Sequence, residues 1–236
     1  GARGEVQRST SGGWAGVAGA LISAHAKLEL SVLYRKYESD YHAFSSNAFA
    51  ENTQTANERG IYWGWKYRWD RRYCLNGYLD LFSFPWLAFR RYAPSDGYEW
   101  LMRGNYKPSR KTSLFIQYRK EVKALNLPES STVYTVGNGK RQNVTFQCDY
   151  STGNVVRLKS RIQYNTYELN GSMTEGWALI QDISISVGRF QISARHALFD
   201  TEQYNNRHYV YESDAWGSYS LPAYSGVGVR NYVLFE

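Results

Sequence analysis

The residue types that do chemistry are present, but they do not fall into a catalytic pattern. The four histidines, His25, His42, His196 and His208, stand apart, with no HExxH, no GxSxG and no cysteine at local spacing from a histidine. Membrane-barrel hydrolases place a Ser-His pair on an outer wall, so His196 is weighed for that role; a packing or boundary role fits it better. The stretch "GNGK" at 137–140 has the end of a phosphate loop, yet the required first glycine falls on Tyr134. Cys74 and Cys148 match no metal spacing and lie near the ends of strands that are not neighbours, so neither a metal site nor a disulfide is expected. Asp80, Asp149 and Asp182 stand on separate strands among basic neighbours, which reads as ion pairing and not as acid-base chemistry. No enzymatic activity, cofactor or metal is expected.

Charge is the other chemical resource. The chain carries a formal net charge of +7 and an isoelectric point near 9.3. Its Lys and Arg are spread over alternating positions and not gathered in runs, so no nucleic-acid partner is expected for this segment. Aromatic residues make up 17% of the 236, including 21 Tyr and 8 Trp, while mean hydropathy is only -0.56. Rings with a polar tip suit a water-lipid boundary, so this pairing fits a banded membrane barrel better than a soluble core.

These side chains must be positioned by strands. "IYWGWKYRWD", 61–70, places Ile61, Trp63, Trp65, Tyr67 and Trp69 on one side and Lys66, Arg68 and Asp70 on the other. Further alternating segments are read at about 14–24, 27–37, 74–84, 97–107, 112–123, 140–151, 155–167, 176–188, 190–200, 207–220 and 226–236. The segment 207–220 reads as one bent strand or two short ones, split near Ser213 and Asp214. From residue 38 the expected connections alternate long and short, as when a barrel has loops on one membrane side and tight turns on the other. Segments of this length match a tilted span of a bilayer, and no run approaches the length of a spanning helix.

The expected fold class is therefore all-β, an antiparallel transmembrane β-barrel of which about 11–12 strands are seen. Lys66, Arg68, Asp70, Arg119, Glu121, Arg157, Lys159, Arg161 and Arg195 are read as facing the lumen, since each would cost roughly 2–4 kcal/mol against mid-bilayer lipid. Ile61, Trp63, Trp65, Tyr67, Trp69, Phe146, Ile183, Ile185 and Val187 are read as lipid-facing or girdle residues. In "PWLAFRRYAPSDGYEW", 85–100, Pro85, Trp86, Arg90, Arg91, Pro94 and Gly97 are read as an ordered rim loop, with Gly97 permitting a turn. A soluble lipocalin-like ligand carrier with the aromatic wall inside explains the alternation equally well. It explains the tryptophans, the strand length and the loop rhythm poorly.

The stretches "GYLDLFSFPWLAFRRYAPSDGYEWLMRGNYKPSRKTSLFIQYRKE", 77–121, and "RHYVYESDAWGSYSLPAYSGVGVRNYVLFE", 207–236, resemble the barrel portion of a group of outer-membrane proteins from Bacteroidetes. Members often carry a helix-hairpin-helix region, called ComEA-like, ahead of the barrel. The resemblance implies a fold and an outer-membrane address more than an activity. It covers most of the chain from about residue 60. One barrel domain over 1–236 is expected, with the pattern continuing past Phe235, and the start without Met favours a processed or partial chain.

Three roles follow as expectations. One is a solute pore whose basic lumen favours anions; another is a structural or accessory subunit of an envelope assembly for secretion, barrel assembly or uptake; the third, a barrel hydrolase, lacks a catalytic set. Outer-membrane lipid and lipopolysaccharide are the expected surroundings, and other outer-membrane or periplasmic proteins are candidate partners.

Overall fold

A computed structural model describes residues 1–43, 48–127, 135–153, 155–213 and 219–236. The chain forms β1 (Ala2–Arg8), β2 (Trp14–His25), β3 (Leu28–Tyr37), β4 (Glu58–Arg68), β5 (Tyr73–Phe84) and β6 (Ser95–Tyr106). It continues through β7 (Thr112–Asn126), β8 (Val136–Thr152), β9 (Val156–Leu169), β10 (Ser172–Val187) and β11 (Phe190–Thr201). A short 3-10 turn (Tyr204–Asn206) and the two-residue strands β12 (His208–Tyr209), β13 (Glu212–Ser213), β14 (Tyr219–Ser220) and β15 (Ala223–Tyr224) lead to β16 (Gly226–Phe235). The fold is all-β: β1 to β11 and then β16 follow one another in a single 12-stranded sheet, antiparallel at every pair whose register is resolved. No helix among the described residues is long and apolar enough to cross a membrane.

Two compact units share the longer strands. The first is Gly1–Arg68, Leu75–Met102 and Lys120–Lys140; the second is Trp69–Cys74, Arg103–Arg119 and Arg141–Glu236. Within the first, β2 and β3 pair so that Arg35 lies opposite Val17, and β3 and β4 pair so that it lies opposite Gly60. Within the second, β9, β10, β11 and β16 form one run of cross-strand rows, such as Lys159, Asp182, Arg195 and Tyr232.

Burial runs opposite to that of a water-soluble sheet. The side chains of Arg35 and Glu58 are 0% exposed and Asp80 is 3% exposed, while Trp63 is 40%, Val187 63% and Phe235 72% exposed. Along β10 the even positions Gly176, Ala178 and Ile180 are buried and the odd positions Trp177, Leu179, Ile183, Ile185 and Val187 are exposed. Apolar cores are small and form where a connection folds back on the sheet. In the first unit Ala15, Tyr37 and Tyr41 pack with Ala48 and Ala50. In the second, Ala178, Ile180 and Ala197 are covered by Val210 and Tyr224.

Several expectations need correction. β1 was not anticipated: in "ARGEVQR" Val6 is the only large apolar residue, so period-two alternation is too weak to register. The glycines of "GNG" lie inside β8, not in a loop. "NGSMTEG" is no long loop either, because Asn170 and Gly171 both have positive φ and close a two-residue hairpin. The long-short rhythm therefore fails at β9–β10. The described residues of 207–220 hold the short pieces β12, β13 and β14 in place of one bent strand or two. The expected bend at Asp214 and most of the "LPESS" loop, from Pro128 on, lie outside the described residues.

Candidate functional site: the polar face of the sheet

In the first unit the alternation of β3, β4 and β5 points Arg35, Glu58 and Asp80 to the same face. Arg35 Nε donates to Glu58 Oε1 at 2.6 Å, while Nη1 and Nη2 donate to the two Asp80 oxygens at 2.8 and 3.1 Å. The guanidinium fills the space beside Gly60, where any Cβ would lie 2.7 Å from Arg35 Cζ. The Glu58 carboxylate also accepts the backbone N–H groups of Glu51 and Asn52 at 3.0–3.1 Å. This ties the end of the connection 38–57 onto the polar face. Glu51, Glu99 and Glu121 have carboxylate oxygens within 4.8 Å of one another, a set that could hold a cation. The Lys123 ammonium already sits there, 2.7 Å from Glu51 and 3.8 Å from Glu121. Burial pushes the Glu51 carboxyl up, against the opposing pull of Lys123.

The rim loop supplies Arg91, whose guanidinium lies 3.7 Å over the Phe84 ring and donates to Asn52 Oδ1 at 2.5 Å. Its hydrogen-bond partner is therefore a side-chain amide. Arg90 is exposed, with φ of 62°. The Asn57 side chain donates to the Trp86 carbonyl at 2.8 Å and accepts the Trp86 N–H at 2.8 Å, which orders the chain around Pro85. Trp86, Leu87, Phe89 and Tyr92 nevertheless point into the open. Pro94 precedes β6, but Gly97 lies within that strand and makes no turn. A Cβ there would fall 2.3 Å from the Phe82 ring, so the residue serves close packing.

The second unit has its own network. Asp182 takes Arg195 in a bidentate pair, 2.5 and 2.8 Å, and the remaining Arg195 nitrogen donates to the Tyr211 carbonyl at 2.8 Å. Glu212 accepts Arg230 at 2.6 and 2.7 Å and the Tyr224 hydroxyl at 2.6 Å. Burial works to raise the Glu212 carboxyl, but Arg230 and Tyr224 outweigh it and hold it below its usual value. Burial and then Glu212 push the Tyr224 hydroxyl up to about 12. Asn206 donates to Asn165 Oδ1 and the Thr174 carbonyl, and His208 packs on Asn165. Burial drives the His208 imidazole down to about 4, so it is neutral at pH 7. The connection 202–225 is thereby fastened to the polar face by hydrogen bonds as well as by its apolar contacts.

The residues singled out from sequence distribute as follows. Lys66 and Arg68 pair with Glu29 at 3.6 and 3.0 Å. Arg119 and Glu121 are half-buried on β7. Arg157 and Lys159 are exposed on β9, and Arg161 Nε donates to Gln147 Oε1 at 2.9 Å. Asp70 is a correction: it lies past the end of β4, where its Oδ1 accepts the N–H groups of Arg72 and Tyr73 and closes a turn. Trp69 also lies beyond the strand and is exposed. Ile61, Trp65 and Tyr67 are half-buried on the opposite face from Lys66, and Trp65 lies over Gly77. Trp63, Phe146, Ile183, Ile185 and Val187 are exposed. His196 is on that outer face too, bonded to Asn231 at 2.6 Å. Cys74 and Cys148 are free. Glu51, Glu58, Lys123, His208 and Glu212 were missed, because only the folding-back of two long connections reveals them.

No family model matches the chain, and no curated protein matches it in sequence. Solved structures are similar to the chain, two of them at 9% identity. One is a NanC porin in a rhombohedral crystal form, with TM-score 0.38, 9% identity, and 84% of this chain and 87% of that chain covered. The other is OmpT, an outer membrane protein of Vibrio cholerae folded in vitro, with TM-score 0.49, 9% identity, and 99% and 92% covered.

Proposed function

We propose that the chain is a bacterial outer-membrane β-barrel protein whose polar face lines a wet interior and passes anionic solutes. The observation that carries this reading is the inverted burial: Arg35, Glu58, Asp80 and Arg195 are hidden while Trp63, Leu179, Val187 and Phe235 are bare. In water this arrangement would expose a large apolar surface; in a bilayer it puts hydrocarbon against hydrocarbon. Strands such as β8 to β10 are long enough to cross at a tilt. The anion preference is supported by the surplus of Arg and Lys on the polar face of the second unit, where Arg103, Arg157, Lys159 and Arg161 have no carboxylate in direct contact among the described residues. The surroundings on this reading are outer-membrane lipid and lipopolysaccharide, the 236 residues act as one barrel domain, and the source is a Bacteroidetes-type envelope. Planar-bilayer recording of the purified protein tests it: stepwise, anion-preferring currents support the reading, and a silent protein that stays soluble without detergent contradicts it.

A second reading, an accessory subunit of an envelope assembly, is favoured by one feature. Trp86, Leu87, Phe89 and Tyr92 are exposed together in the rim loop, with Phe89 88% exposed. Such a patch suits an outer-membrane or periplasmic protein partner. Pull-down from outer membranes in mild detergent, with Phe89→Ser as the comparison, distinguishes it from a barrel that acts alone.

A further inference from the structure

The tight connections hold a group of cations that neither ion-pair network uses. In the second unit the turn 107–111 carries Lys107, Arg110 and Lys111, and next to it β9 brings Arg157 and Lys159 on its polar face. The backbone N–H of Ser151 donates to the Lys111 carbonyl at 2.8 Å and fixes the end of β8 against that turn. These residues line a cavity of about 570 Å³ in which Asp149 is the one carboxylate. None of the five cationic side chains has a partner among the described residues. Asp149 is itself engaged, accepting Gln147 Nε2 at 2.7 Å. The hydroxyls of Ser113 and Ser151 are also uncommitted.

Five like charges held around one concavity repel one another and raise the local potential for an anion well above that of a flat surface. A singly charged ligand would leave most of them uncompensated. The hydroxyls add donors suited to oxygen atoms, and the only ring or aliphatic neighbours are Tyr150 and Leu158, so the ligand is polar. The volume falls in the range of small-molecule sites and exceeds what one simple ion fills. We propose that this cavity binds a multiply charged phosphate-type oxyanion, supplied either by a free condensed phosphate or by a phosphomonoester on a lipid headgroup. The inference rests on the reading above that the polar face is water-filled, since Arg157 and Lys159 belong to it.

Calorimetric titration of inorganic tripolyphosphate into the full chain in neutral detergent tests the site directly. Saturable binding is expected, weakened about tenfold or more in the triple variant Lys111→Gln, Arg157→Gln, Lys159→Gln, and unchanged in Lys36→Gln on β3. Repeating the titration in lipid nanodiscs separates the sources. Binding retained in phosphatidylcholine and lost in phosphatidic acid means that the lipid phosphomonoester occupies the cavity; binding retained in both means a free phosphate. Absence of binding in detergent and in phosphatidylcholine discs, or equal binding by the triple variant, overturns the proposal. A failed pore reading shows separately, as a silent bilayer with this binding intact.

Discussion

Removing Arg35 should unbalance the most completely buried charges among the described residues. Arg35→Met keeps most of the side-chain volume but takes away the donors that hold both Asp80 oxygens at 2.8 and 3.1 Å. Glu58 is less affected, because the N–H groups of Glu51 and Asn52 still reach it. Asp80, 3% exposed, is left as an uncompensated buried charge. Breaking one side of a buried pair typically costs about 3–5 kcal/mol, most of it the penalty on the charge left behind. If that reasoning holds, adding Asp80→Asn to Arg35→Met should recover much of the loss, although the single Asp80→Asn change is itself destabilising. Urea unfolding of refolded protein in lipid vesicles, followed by tryptophan fluorescence, measures all three variants. A loss below about 1 kcal/mol for Arg35→Met, or no recovery in the double variant, would refute the buried-charge account.

Further outcomes follow from the same geometry. His208 protonates below 6.5 when freed but only below about 4 when docked, so docking of 202–225 is fully stable above 6.5 and weakens by up to about 3 kcal/mol as pH falls to 4. Limited proteolysis of that connection between pH 7 and 4.5 should show the opening, and His208→Gln should flatten its pH dependence. Leu179→Arg, at an exposed position midway along β10, should cost about 2–4 kcal/mol in vesicles if that position meets the bilayer midplane; no loss there would place the side chain in water. Gly97→Ala should cost about 1–3 kcal/mol, because its Cβ would lie 2.6 Å from the Val122 carbonyl oxygen as well as against Phe82. The readout is the same urea midpoint, and a neutral result would mean that β6 shifts freely.

Alternation made the strands legible, because a pattern of period two survives even where the mean hydropathy is low. It also separated Ile183, Ile185 and Val187 of β10 from Ser184 and Ser186, and along that strand the first three are exposed and the two serines half-buried. The pairing of Asp182 with Arg195 was anticipated in kind, since inward carboxylates met basic neighbours on adjacent strands. What was not legible depended on long-range closure. Glu58 looked like the tail of a polar loop, and nothing near it in sequence marks Arg35 as its partner or Asp80 as a second carboxylate on the same guanidinium. The stretch around His208, Glu212 and Tyr224 carries mixed signals because it contacts β10 and β11 through single residues and not as a strand. Asp70 and Gly97 were misplaced for local reasons: a carboxylate at a strand end closes turns as readily as it pairs, and a glycine required by close packing looks the same as one required by a bend.

The orientation of the two faces is tested most directly by spin labels at single sites in vesicles, in a background with Cys74→Ser and Cys148→Ser. Labels at Trp63, Leu179 and Val187 should collide with dissolved oxygen and be shielded from an aqueous nickel complex, while labels at Arg157 and Lys159 should show the reverse. Nickel reaching the first group as freely as the second, with all five sites wet, would contradict the placement of the aromatic and aliphatic face in hydrocarbon.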